Sequence, residues 1–241
     1  MADTQTLLDY LSVAPPSLPT GETNRTPNTT NEQYNWMQIR SIGVWPEFNY
    51  AQILQQYGHV LQAQINREPM PDSPPQEIRT EPMFANRFAT YVDNRLRRAL
   101  RTGFRELTHQ LDTLRLTPLT VDLGDAAQII DNFRPDLAFS RWAVSWKWDS
   151  SWATSEIFTL RREYLQVLSQ VNFYMKQHSA RYGFVITDTE LVPIKRLDAN
   201  GNLLLAQPVQ WDTAGPGRLT ILLGLWYLGM LGAADEEWQL I

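Results

Sequence analysis

Apolar side chains recur along this chain with one of two periods, and the changes of period mark its elements. The longest helical run covers residues 83–114, where Phe84, Phe88, Tyr91, Leu96, Leu100, Phe104, Leu107 and Leu111 keep close to one face. Gly103 weakens that run and is expected to mark a break. A second run, 157–178, turns Leu160, Tyr164, Val167, Leu168, Val171 and Met175 inward. A third, 50–64, repeats Ile53, Leu54, Tyr57, Val60 and Leu61 at helical spacing. The run 219–233 is apolar throughout and interrupted by three glycines. A bilayer span takes about 20 residues, so this shorter run is expected to be a buried helix packing on the core.

Alternation marks the strands. Residues 116–123 alternate around Val121, and 136–139 with 142–148 read as the arms of a tight hairpin. Alternation there puts Trp142, Val144, Trp146 and Trp148 on one face and Ala143, Ser145 and Lys147 on the other. Residues 182–187 and 190–196 form a second hairpin around Asp188-Thr189, and the Asn200-Gly201 turn leads to a short strand, 203–206. Residues 39–45 read as a short extended piece ending at Pro46. The order helix, strand, hairpin, helix, hairpin, helix predicts an α/β fold with a mixed β-sheet flanked by helices. No internal repeat or second core stands out, so 34–241 is expected to be a single domain. Residues 67–82 hold five prolines and read as a loop. Residues 1–33 are expected to be a flexible N-terminal tail, because from Ala14 they are rich in Pro, Thr and Asn. The alternative is a docking peptide anchored by Leu7-Leu8-Asp9-Tyr10-Leu11.

Composition narrows the chemistry. The chain of 241 residues has no cysteine and only three histidines, His59, His109 and His178, far apart. Disulfides and thiolate metal sites are excluded, and a histidine zinc site is not expected. The start lacks a basic region followed by a long apolar core, so an intracellular place, nuclear or cytoplasmic, is expected, with no membrane association. The net charge of −5 makes no overall case for nucleic acid, so any basic surface must be local. Arg98, Arg101 and Arg105 fall on one stripe of the long helix. That stripe reads either as a solvated face or as a line of phosphate contacts.

Three stretches carry a resemblance: Arg134-Pro135-Asp136, the strand ending Val144-Ser145-Trp146-Lys147-Trp148, and residues 166–196. Together they resemble the PD-(D/E)XK nuclease-like superfamily, nearest a branch common in filamentous fungi, over about residues 34–235. Gln170-Val171-Asn172-Phe173-Tyr174 also resembles the QxxxY element of the exonuclease branch. The resemblance implies a restriction-endonuclease-like core, Mg²⁺ or Mn²⁺ as cofactor, and phosphodiester cleavage of DNA or RNA. It makes Asp136 the first metal-binding acid. In one register Lys147 is the motif lysine, with Ser145 where the second acid belongs. In the other, Arg141-Trp142-Ala143 stands at the acid-x-lysine triplet and both groups are lost. Some restriction enzymes of the superfamily carry Ser at that acid and supply a Glu from the following helix. Glu163 is the candidate for that role and second metal ligand, with Glu156 the other, while Asp93 matches an outer acid. Gln170 and Tyr174 would position the phosphate or pack beside it, and the helix arginines would contact the backbone. The competing expectation is an inactive member of the fold that binds nucleic acid or a protein partner.

Overall fold

The computed structural model describes residues 3–19, 34–71, 77–119 and 148–234. Its strands are β1 (Thr4–Thr6), β2 (Ser41–Val44), β3 (Gln64–Asn66), β4 (Tyr182–Ile186), β5 (Glu190–Arg196), β6 (Asn202–Leu205) and β7 (Val209–Gln210). Its helices are α1 (Leu7–Leu11), α2 (Tyr50–Tyr57), α3 (Glu81–Phe88), α4 (Asn94–Glu106), α5 (Leu111–Leu114), α6 (Phe158–Gln177) and α7 (Ile221–Ala233). The main sheet runs β2-β6-β5-β4, with β7 also on β5. β2 lies parallel to β6 and the other pairs are antiparallel. The chain is thus mixed α/β, with a mixed open sheet and helices on its faces.

β5 shows why the sheet has two unlike faces. Residues two apart share a face, so Val192 and Ile194 enter one apolar cluster and Leu191 enters another. The first cluster joins β4, β5 and β6 to α6 through Tyr164, Val167, Leu168, Val171 and Met175. The second is larger and joins Ile186 and Leu191 to α7, α4 and α1. Pro193 sits inside β5 without an N–H to give, and its carbonyl accepts the Ala206 N–H at 3.0 Å.

The long apolar run does not break at Gly103. A Cβ there would lie 3.3 Å from the Trp226 ring, so the glycine lets α4 and α7 approach closely. The run instead widens into a π-helical turn, Ala89–Asp93, and stops at Glu106. The Thr108 hydroxyl donates to the Arg105 carbonyl at 2.7 Å, which takes an acceptor from the helix ladder just where it ends. The 50–64 run also divides: α2 ends at Tyr57, Val60–Gln62 forms a 3₁₀ turn, and β3 follows. β3 is needed elsewhere, as the partner of β1.

That pairing overturns the expected tail for residues 3–19. Thr6 caps α1 by accepting the Asp9 N–H, and Leu7, Tyr10 and Leu11 are 0% exposed. The following stretch is held through its carbonyls: Pro16 accepts the Trp211 indole N–H at 2.9 Å and Pro19 the Ile78 N–H at 2.7 Å. Backbone acceptors of this kind leave no trace in composition. Residues 20–33 lie outside the described residues. Of the expected strand 116–123, residues 116–119 are described and are not extended in a sheet. Of the expected hairpin, only Trp148 is described. Among the described residues no helix is long and apolar enough to cross a membrane.

Candidate functional site

The chain enters the α6 side of the sheet at Trp148. Its indole N–H donates to the Tyr164 carbonyl at 3.3 Å, and the two rings stack 5.2 Å apart, 13° from parallel. Asp149 then caps a 3₁₀ turn, Ser150–Thr154, by accepting the Ser151 N–H. The Glu190 carboxylate, 6% exposed at the start of β5, accepts the Ser150 N–H at 2.8 Å and its hydroxyl at 3.1 Å. Burial, then the nearby Glu190 charge, push the Tyr164 phenol up to about 12. Burial also raises the Asp188 carboxyl on the adjoining turn. Trp148 and Ser150 are therefore pinned between α6 and one end of β5.

α6 carries polar residues on one buried side. Gln166 accepts the Trp36 N–H at 3.1 Å and donates to the Tyr34 carbonyl at 3.5 Å. One turn further, the Ser169 hydroxyl donates to the Asn35 carbonyl at 2.7 Å. These groups fix the short 3₁₀ turn Trp36–Gln38 and the residues before it along the helix. The Tyr34 ring lies 5.7 Å from Phe173 and 6.4 Å from Tyr174.

Three of the candidate residues lie beside Gln166 on α6. Glu163, Gln170 and Tyr174 are spaced by seven and four residues, which aligns them in one stripe, and all three are half-buried. At about 1.5 Å per residue, Gln170 lies about 10 Å along the axis from Glu163 and Tyr174 about 6 Å beyond it. The stripe is too long to meet at one atom and suits a line of contacts. Asp136 and Lys147 lie outside the described residues; Lys147 directly precedes Trp148. Glu156 is exposed ahead of α6. Asp93 is buried and holds the Arg97 guanidinium at 3.0 Å.

The arginine stripe divides. Arg98 pairs with Glu68, donates to the Asn66 carbonyl at 3.4 Å, and lies 5.6 Å from the Tyr10 ring centroid. Glu68 also accepts the Tyr10 phenol at 2.8 Å. Burial, followed by that hydrogen bond, pushes Tyr10 up to about 12. Arg98 thus helps fasten α1 onto α4, while Arg101 and Arg105 are exposed.

Mg²⁺ and Mn²⁺ take hard oxygen donors and are commonly held by only one or two carboxylates besides water and substrate. Glu163 supplies one such donor in a half-buried place. Among the described residues no three acids or histidines gather into a metal-binding group.

Sequence reasoning passed over Glu190, Gln166 and Ser169. The signal for Glu190 was present: Glu190, Val192, Ile194 and Arg196 alternate, so the strand that buries two apolar residues buries both charged ends with them. Gln166 and Ser169 stand three apart inside an apolar helix, a spacing that marks a second buried side. No family model, no curated protein and no solved structure matches this chain.

Proposed function

We propose that this chain is a nuclease-fold protein of the PD-(D/E)XK type, with a restriction-endonuclease-like core, that cleaves phosphodiester bonds of DNA or RNA with Mg²⁺ or Mn²⁺. The observation that carries the reading is the contact of Trp148 with Tyr164. It fastens the residue that follows Lys147 in sequence to the residue that follows Glu163. Asp136 and Glu163 would hold the cation. When bound, the cation would acidify a water molecule and offset charge building on the phosphate oxygens. Lys147 would orient the attacking water. Gln170 and Tyr174 would line the bound strand along α6, while Arg101 and Arg105 belong to α4, which packs in the cluster on the other face of the sheet.

The test is cleavage of single-stranded DNA, duplex DNA and RNA by the full chain with Mn²⁺. The expected result is activity that chelation abolishes, that Asp136→Ala removes, that Lys147→Ala lowers about 100-fold, the loss typical of a group acting on the reacting water, and that Glu163→Gln lowers through weaker metal binding. Cleavage that persists in Asp136→Ala would refute the assignment. A second reading, an inactive member of the fold that binds nucleic acid or a protein partner, is favoured by Ser145 at the position of the second acid. It predicts no cleavage by the wild type under any of these conditions.

A further inference from the structure

One corner of the molecule combines exposed aromatic surface with unpaired positive charge. At the start of α6, Phe158 is 57% and Ile157 58% exposed, and Met37, which follows Trp36 in sequence, is 65% exposed. The Trp36 ring meets Phe158 edge-on at 6.1 Å, held there by the Gln166 bond to the Trp36 backbone. Arg161 and Arg162 follow three and four residues after Phe158, so on a helix they flank its ring at about 5–6 Å between Cβ atoms. Both are exposed, and among the described residues neither is ion-paired. The nearest acids in sequence are Glu156, exposed ahead of the helix, and Glu163, on its other side.

A large exposed ring carries a hydration cost that a folded chain usually avoids, and two guanidinia beside it bring positive charge to a molecule of net charge −5. Flat aromatic surface with adjacent arginines is the chemistry that takes unpaired bases and their phosphates. A duplex keeps its bases stacked on one another and offers such a ring nothing. We infer that this corner binds single-stranded nucleic acid, with a base stacked on Phe158 beside Trp36 and the neighbouring phosphates on Arg161 and Arg162. The inference rests on the proposed function and gives the form of its substrate.

The test is fluorescence anisotropy of labelled dT12, rU12 and a 12-base-pair DNA duplex with the full chain, at two salt concentrations. Wild type, Phe158→Ala and the double variant Arg161→Ala/Arg162→Ala are compared after circular dichroism shows each folded. We expect the wild type to bind dT12 or rU12 more tightly than the duplex, and Phe158→Ala to weaken that binding about tenfold. The double variant should lower the slope of log K against log salt by about 1.4, two phosphates at about 0.7 each. Failure of the wild type to bind either strand would overturn the inference, as would equal binding by Phe158→Ala. Strand binding through Phe158 in a protein that takes up no Mn²⁺ would sink the phosphodiesterase and leave this surface standing. Uptake of Mn²⁺ with no strand binding would do the reverse.

Discussion

A carboxylate withdrawn from water has to be hydrogen-bonded or neutralised. Glu190 takes the first course, through two bonds from Ser150. Glu190→Ala removes both and strands the half-buried Ser150 N–H, so we expect a loss of about 2 kcal/mol in urea unfolding. Asp188, two residues earlier, leans to the second course, because burial raises its carboxyl above the ordinary range. A raised folded value means that folding favours the protonated acid. That stability is fully present below the unfolded value and is lost as pH rises through the folded one. The Asp188→Asn variant should therefore gain on the wild type as pH rises from about 4, where an unfolded Asp titrates, and the gain should level off above the folded value. Thermal unfolding across pH 3 to 7 reads this directly, and a gain that shrinks as pH rises would contradict it.

At the scale of elements, α6 and the α4–α7 pair are held in different ways. α6 buries an apolar face against the sheet and a polar side, Gln166 and Ser169, against residues 34–38. Gln166→Ala should leave α6 intact and loosen that segment, seen as faster amide exchange at Trp36 with little change in the helix. α4 and α7 meet at Gly103, where the Trp226 ring stands 3.3 Å and a Val60 methyl 3.5 Å from an added Cβ. Gly103→Val should cost about 2 kcal/mol through overpacking, even though valine is the better helix former. A variant as stable as the wild type would show that the two helices have room. The sequence made α6, α7 and the β4–β5 hairpin legible because their apolar periods are long and their turns strong. Gly103 was misread because its meaning depends on Trp226, more than a hundred residues away. Glu163, Gln170 and Tyr174 could be placed on one stripe from spacing alone. The bond that ties Trp148 to Tyr164 could not, since an indole donor gives no local sign of its acceptor.

Over the whole molecule, the stretch 3–19, expected to belong to a flexible tail, gives Leu7, Tyr10, Leu11 and Leu18 to the core. Leu11 is fully buried and its carbonyl accepts the Thr220 hydroxyl at the start of α7, so one end of the chain braces the other. Leu11→Ala should cost about 3 kcal/mol in urea unfolding, as a core truncation does, and a change near zero would return this segment to a tail. Composition pointed the other way because the stretch after Leu11 is ordered through backbone carbonyls. The same large-scale arrangement sets α6 along one face of the sheet, with the chain just after Lys147 pinned at its first turns, and the proposed chemistry depends on that placement. Calorimetric titration of Mn²⁺ into the full chain, with Asp136→Ala and Glu163→Gln beside it, tests the account most directly. The account predicts one Mn²⁺ per chain in the wild type, no binding in Asp136→Ala and weaker binding in Glu163→Gln. No uptake by the wild type at millimolar metal, or equal uptake by all three proteins, would contradict it.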